Sequence, residues 1–547
     1  MTDRLKFVVI YLIFSLMIPL AVFPQTKVSR DKIPSGIPEG YRALIELLYS
    51  QNPVDRANAC SKIGELKILG VSAIPFLIGL LDDDYALSNG FGRTTPGDEA
   101  VDALVKIGSP SINPLLESYK TASINVQLRI IEAFRRMDDT ATIHILITAF
   151  ADANKETRFK IVRAMGFKNN PVFINVFIVA LRDEDAEVRS EAAGALGKLK
   201  AQNAFYPLIQ SLKDKSPGVR QQAVMALNKL HDSTAVDSLL LLLTDEDKSV
   251  KIATIRCLGD LYSQKAIAPL TSIIWENDRR ETEAALLALG TIASPATVEM
   301  LIKEYNDKNS KLNKAIVIRA LGNTKDPKVA DVLFQVYNDP NVTIRQSLAE
   351  SLGKIICDRS GQILMLLLND KENKVRKEAV KSLHNIKYAK AISPLLSLLD
   401  DDEYCKLEII EDLTIFKDPV SFKPLIDCLD DKSNPVKIAA IEALAELKNP
   451  EFIKPVIKLM EDKDASVVIA AINALSNYND KRIKDALIDL LDDKRLIMTS
   501  TYDGYGLSSQ TEFWIKDKAL EALIKITKQN FFYNKDDWEK WNKQNSN

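Results

Sequence analysis

The chain has 547 residues, 72 Lys and Arg against 74 Asp and Glu, a formal net charge of −2, and 46% hydrophobic with 27% charged residues. That mixture supports a folded body and excludes disorder as the main state, and the balanced charge gives no overall attraction to nucleic acid or to an anionic membrane. Only 20 Gly and 22 Pro punctuate the sequence, too few for an all-β chain of many turns, while five scattered Cys and three His supply neither a disulfide framework nor zinc spacing.

Residues 7–23 (FVVIYLIFSLMIPLAVF) form one apolar stretch behind Arg4 and Lys6. A charged start followed by such a run reads as a secretory signal over residues 1–25, with a linker over 26–40. The sequence LAVFPQTKV has no clean pair of small residues for cleavage, so a cleaved signal peptide and an uncleaved signal anchor both stay open. The expected location is the periplasm or the extracytoplasmic side of a cell envelope. A membrane enters only through an uncleaved N-terminal anchor.

From about residue 41 the chain repeats itself. DAEVRSEAAGALGKL from Asp185, SPGVRQQAVMALNKL from Ser216 and DKSVKIATIRCLGDL from Asp247 align, and their leucines Leu196, Leu227 and Leu258 recur at one fixed interval of 31 residues. The register runs forward through Leu289, Leu352 and Leu475 to Leu523 and back to Ile63, which gives about fifteen repeats over residues 41–528. Each repeat holds two periodic segments. In one, Val188, Ala192, Ala195, Leu196 and Leu199 make the stripe of an amphipathic helix. A column of Asp185, Ser216, Asp247, Asp278, Ser310, Asn341, Asp402, Ser433 and Asp464 is expected to cap these helices. The other segment opens near Pro207, Pro269, Pro394, Pro424 and Pro455 and continues as PLIxxL. Each helix is short and buries one face, so stability requires that the repeats stack.

The pattern A-I-x-P-L-I-x-L-L-x-D-x-x-x-x-V-R-x-x-A-A-x-A-L-G resembles the HEAT-like repeats first associated with phycobilisome lyases, here in an exported bacterial form. The resemblance implies an all-α fold, a right-handed α-solenoid (superhelix) of helical hairpins, with the V-R helices on the concave side and the P-L-I helices outside. Such repeats serve many unrelated tasks, so the likeness speaks to fold far more than to function. Departures exist: Gly97 and Val468 stand near the place of the basic residue.

The most regular polar feature is an acidic column, Asp183, Asp214, Asp245, Asp307, Asp339, Asp370, Asp401, Asp431, Asp462 and Asp493, with Glu276 in the gap. Successive members belong to successive layers and do not converge as calcium ligands must. Each is expected to face the basic residue six places on, as Asp214 does Arg220, and the resemblance implies an inter-repeat hydrogen-bond ladder. No residues are assigned to catalysis, to a metal or to a cofactor. His144, His231 and His384 lie in different repeats near helix ends or turns, and Cys60, Cys257 and Cys357 fall on or beside apolar faces. Antiparallel packing could bring Cys405 to Cys428.

Two inserts break the period at the same turn of the repeat, YALSNGFGRTTPGD from Tyr85 and KRLIMTSTYDGYGLSSQTEFW from Lys494. They read as flexible loops on a rigid scaffold, where binding commonly resides. Tyr85, Phe91, Tyr502 and Tyr505 in these inserts, with Trp275 in the array, are therefore the candidate protein-binding residues, although core packing is the first expectation for Trp275 itself. Residues 529–547 read as an aromatic C-terminal cap in which Trp538 and Trp541 share a helix face. The expected function is a non-enzymatic protein-binding scaffold or adaptor in the cell envelope, using the concave face and the insert loops. Its partner is a protein and not nucleic acid. The alternative implied by the resemblance is a lyase or chaperone-like enzyme subunit related to HEAT-like phycobilin lyases.

Overall fold

The computed structural model describes residues 28–545 apart from 90–91, 277, 400–402, 417–418, 494 and 503–507. The apolar run at the N-terminus, Phe91 and Tyr505 therefore lie outside the described residues, as do Asp402 and the side chains of Cys405 and Tyr502. The chain divides into two compact units, residues 1–288 and 289–547. Each is an α-solenoid of stacked helical hairpins. Among the described residues there are fifteen V-R helices, from Pro53–Glu65 to Ile515–Thr527.

The helix starts follow capping chemistry. Asp185 accepts from the amides of Glu187 and Val188, and Asp247 and Asp464 do the same in their own repeats. Ser216 and Ser433 sit at the N-cap without a side-chain bond, and there a proline in the first turn removes one amide that would need a partner. Ser310 is not a cap. Its helix begins at Lys314 under Asn313, because the turn is longer in that repeat, and the Ser310 hydroxyl donates to Glu304 instead. Gly108 (φ 84°) ends one V-R helix, but most of these ends carry no glycine. Lys200 (φ 50°), His231 (φ 52°), Tyr262 (φ 52°), Lys387 (φ 51°) and Lys448 (φ 54°) adopt the left-handed conformation that terminates V-R helices.

Between repeats the V-R helices meet backbone to backbone. A Cβ on Gly197 would lie 2.6 Å from the Cα of Ala226, which explains the A-L-G element. Leu196, Leu227 and Leu258 are fully buried beneath that contact, and Leu208 and Leu270 of the P-L-I helices are buried opposite them. The P-L-I helices are shorter. Phe205–Ser211 follows a 3-10 turn at Gln202–Ala204, so Pro207 falls inside the first helical turn, where a missing amide costs no hydrogen bond.

The end of the second unit is covered by the helix Lys535–Gln544. Trp538 is buried there, edge-on to Phe531 at 4.9 Å, and its indole N–H donates to the Phe532 carbonyl. Asn542 donates to Asp485 at 2.6 Å and ties this helix to the helix Lys481–Asp489. No helix among the described residues is long and apolar enough to cross a membrane.

Both inserts differ from the expected loops, because each forms an antiparallel β-hairpin. In the first, β1 (Leu87–Asn89) pairs with β2 (Gly92–Thr94). In the second, β3 (Leu496–Tyr502) pairs with β4 (Ser508–Trp514), from Leu496 opposite Trp514 to Tyr502 opposite Ser508. The β-branched and aromatic content of LIMTSTY and SSQTEFW favours paired strands, and it outweighs the glycines at the tip.

Candidate functional site

The acidic and basic columns form an inter-repeat ladder, though not with the partners that sequence proximity suggests. Arg220 does not pair with the carboxylate of Asp214, six places back. Its Nε and Nη2 donate to Asp245 of the next repeat, both at 2.8 Å, and only its Nη1 turns back, to the Asp214 backbone carbonyl at 2.8 Å. Arg189 repeats this on Asp214 and the Asp183 carbonyl, and Arg345 on Asp370 and the Asp339 carbonyl. Lys406 and Lys437 reach Asp431 and Asp462 at 2.6 and 2.7 Å.

The column carboxylates also build their own turn. Asp214 accepts from the Ser216 amide, and Asp245 from the Asp247 amide. One aspartate thus sets the turn, accepts the cation of the preceding repeat and offers its carbonyl to the cation that follows. The pairs are well buried, with Arg220 and Asp245 side chains only 9% and 6% exposed. Burial opposes ionisation of Asp214, but the hydrogen bonds from Arg189 and the Ser216 amide outweigh it and hold the carboxyl below its ordinary range. Asp245, Asp370 and Asp493 behave alike for the same reasons.

Four repeats lack the cation: Gln127 and Thr282 still donate to the Tyr119 and Glu276 carbonyls, and the places at Val468 and Gly97 are filled from elsewhere. Val468 leaves the Asp462 carbonyl and the Asp493 carboxylate without their usual guanidinium. Arg495, the residue just before β3, supplies it: Nη1 donates to the Asp462 carbonyl at 2.6 Å, while Nε and Nη2 reach Asp493 at 3.0 and 2.6 Å. At Gly97 the replacement comes from the following repeat. A Cβ on Gly97 would lie 2.7 Å from Cζ of Arg129, whose guanidinium occupies that space. Arg129 donates to the Leu81 carbonyl at 2.6 Å and the Thr95 hydroxyl at 2.8 Å, and it pairs with Asp84 at 2.7 Å and Asp98 at 3.2 Å.

Both substitute arginines stand at the roots of hairpins. Arg129 bridges the two feet of the first, Asp84 and Thr95, and Arg495 opens the second. Sequence reasoning missed both. The available signal was a gap in the basic column next to an insert, with an arginine one repeat beyond Asp98 and another two residues beyond Asp493.

Of the candidate binding residues, Tyr85 is 61% exposed at the foot of the first hairpin, and Tyr502 ends β3. Trp275 is 57% exposed, so it does not pack in the core as first expected; it follows the last turn of its P-L-I helix and points away from the interior. Tyr206 and Leu241, also on P-L-I helices of the first unit, are more exposed still. Within the first unit, Tyr85, Tyr206 and Trp275 lie in different repeats. Burial pushes the Cys257 thiol up to about 12 and raises that of Cys60, conditions under which neither is a nucleophile. The pairing of Cys405 with Cys428 falls on a side chain outside the described residues. No group of acidic, His and Cys side chains fit to hold a metal ion occurs among the described residues.

No curated protein matches the sequence. Among solved structures, the chain is similar to the complex of CpcE and CpcF of phycocyanin lyase from Nostoc sp. PCC7120, with 20% identity over 44% of this chain and 92% of that one and a TM-score of 0.29. It is similar to YibA of E. coli, with 21% identity over 46% and 96% and a TM-score of 0.34, and to importin beta, with 15% identity over 89% and 82% and a TM-score of 0.44. The family model for HEAT repeats matches in overlapping stretches from residue 144 to residue 498. With the stacked hairpins and the inter-repeat ladder in place, the chain belongs to the HEAT-repeat family.

Proposed function

We propose that this protein is a non-enzymatic scaffold of the cell envelope that captures a protein partner through its V-R helix layer, its two hairpins and the exposed aromatics of its P-L-I layer. The observation that carries the reading is the rooting of both hairpins. A long insert in a surface turn is ordinarily free to move, whereas these two are fixed to the ladder by Arg129 and Arg495. Fixed projections hold contact residues in place before a partner arrives, which lowers the ordering cost of binding. Exposed Tyr85, Tyr206 and Trp275 supply rigid aromatic area of the kind that anchors interfaces.

Two experiments test the reading. A photo-crosslinking amino acid placed at Tyr85, Tyr206, Trp275 and Tyr502 in cells should trap one discrete protein partner from at least one position. Replacing either hairpin by the short turn Lys215–Gly218 should abolish the hairpin crosslink and leave the melting temperature within a few degrees. Absence of a crosslink from all four positions in a folded protein overturns the proposal. For location, an alkaline phosphatase fusion at the C-terminus should be active and should lose activity on Leu12→Arg or Leu16→Arg, since a central charge costs about 2.5 to 3.5 kcal/mol on the insertion scale.

A further inference from the structure

In the second unit, the successive V-R helices Glu403–Phe416, Asn434–Leu447 and Ala465–Leu475 frame a groove of 1090 Å³. Its floor is Ala439, Ala443, Ala470 and Ala474, with Ile415 at one wall. Small side chains at these positions leave an apolar trough between the helices instead of filling it. Three carboxylates, Glu411, Glu442 and Glu446, stand along it, against the single cation Lys448 among the described lining residues. Glu411 and Glu442 occupy equivalent positions one repeat apart, both exposed, and neither forms an ion pair with a described residue.

A further carboxyl lies beneath the rim. Glu408 has one carboxylate oxygen buried without a hydrogen-bond partner. Burial first, and then the charges of Glu378 and Glu411, hold its acid above the ordinary range against the pull of Lys381 and His384. In the column of Glu411 and Glu442 the preceding repeat carries Lys381 and the following one Asn473. The acidic stretch is therefore two repeats long, enough for two cations.

Packed helices lie about 8–10 Å apart, and a polyproline II strand returns to the same face every three residues, a rise of about 9.3 Å. We infer that this groove docks an extended basic segment of a protein partner, with Lys or Arg at i and i+3 on Glu411 and Glu442 and an aliphatic side chain on the alanine floor. The inference rests on the scaffold reading and names the chemistry of its partner.

The test uses the whole chain and two labelled peptides, Lys-Pro-Leu-Lys-Pro-Leu and Glu-Pro-Leu-Glu-Pro-Leu, followed by fluorescence anisotropy. The lysine peptide should bind at least 10-fold more tightly than the glutamate peptide, and its affinity should fall as salt rises from about 0.05 to about 0.3 M, where screening shortens to a few ångströms. Glu411→Lys with Glu442→Lys should weaken it at least 10-fold, and the near-isosteric pair Glu411→Gln with Glu442→Gln should weaken it several-fold with unchanged helicity. Equal binding of the two peptides, no measurable binding of the lysine peptide, or unchanged affinity in the glutamine variant overturns the inference. If the crosslinks at Tyr206 or Tyr85 persist in that event, the scaffold reading stands and only the basic partner is lost; if they are absent as well, both fall.

Discussion

Arg495 offers the sharpest test of the ladder, because it makes the contacts of a residue that the sequence places 27 positions earlier. Arg495→Ala removes a bidentate contact to Asp493 and the bond to the Asp462 carbonyl. A hydrogen bond to a charged group contributes about 1.5–3 kcal/mol, and breaking a fully buried pair costs about 3–5 kcal/mol. The Arg495 side chain is 36% exposed while Asp493 is 14% exposed, so solvent recovers part of that loss. The expected cost is about 2 kcal/mol. In a stack of nearest-neighbour units it should appear locally, as faster amide exchange over residues 462–527, together with a lower midpoint in guanidinium. The rescue is specific. Val468 occupies the ladder column and is fully buried, so Val468→Arg in the Arg495→Ala background should return a guanidinium to the same two acceptors and recover about 1 kcal/mol or more. A double variant no more stable than Arg495→Ala alone would refute the equivalence of the two positions.

Three further outcomes follow from the same geometry. Asp214, Asp245, Asp370, Asp431 and Asp462 all have folded-state carboxyls held below their ordinary values, so the unfolded chain takes up protons first. Their contribution is complete above about pH 4 and is lost as pH falls below it through the lower folded values; a melting temperature that stays level from neutral pH down to about pH 3 would contradict this. Gly197→Val should destabilise by about 1–3 kcal/mol through overlap with Ala226, whereas Gly194→Ala, which meets only the flexible end of Gln222 at 3.2 Å, should be neutral or stabilising. Lys200→Gly at φ 50° should stabilise by about 1 kcal/mol, the reverse of a glycine substitution inside a helix, as read from thermal or chemical unfolding.

The repeat period was legible because burial imposes it: Leu196, Leu227 and Leu258 recur where the core demands them, and no other residue pattern competes. Helix ends were not. The left-handed positions carry Lys200, His231 and Lys387 where a reader looks for glycine, and tertiary stacking outweighs the local strain. The ladder was legible as two columns but not as pairs. Six residues separate Asp214 from Arg220 and 25 separate Arg220 from Asp245. Sequence distance favours the first pairing, while a side chain at the start of a V-R helix reaches across to the next layer. Trp275 was misjudged for a related reason: its column carries Lys213 and Thr244 in neighbouring repeats, polar residues that mark the position as exposed.

Each insert stands beside a ladder position that an arginine from elsewhere fills. At Gly97 the insert lies between the column aspartate and its V-R helix, 14 residues beyond Asp83, so a cation at that position would not arrive by the standard path. At Val468 the six-residue spacing from Asp462 is intact, and the insert follows the next column aspartate, Asp493, two residues before Arg495. The buried carboxylates beside the inserts stay paired, Asp83 by Arg56 and Asp493 by Arg495, because an unpaired buried carboxylate is costly. The arginines that complete the ladder there come from the hairpin base or the neighbouring repeat and bind the hairpin feet as they do so. Neutralising the ladder and fixing the projections are thus the same set of contacts, which is why the strands beyond them can differ in sequence without loosening the array that carries them.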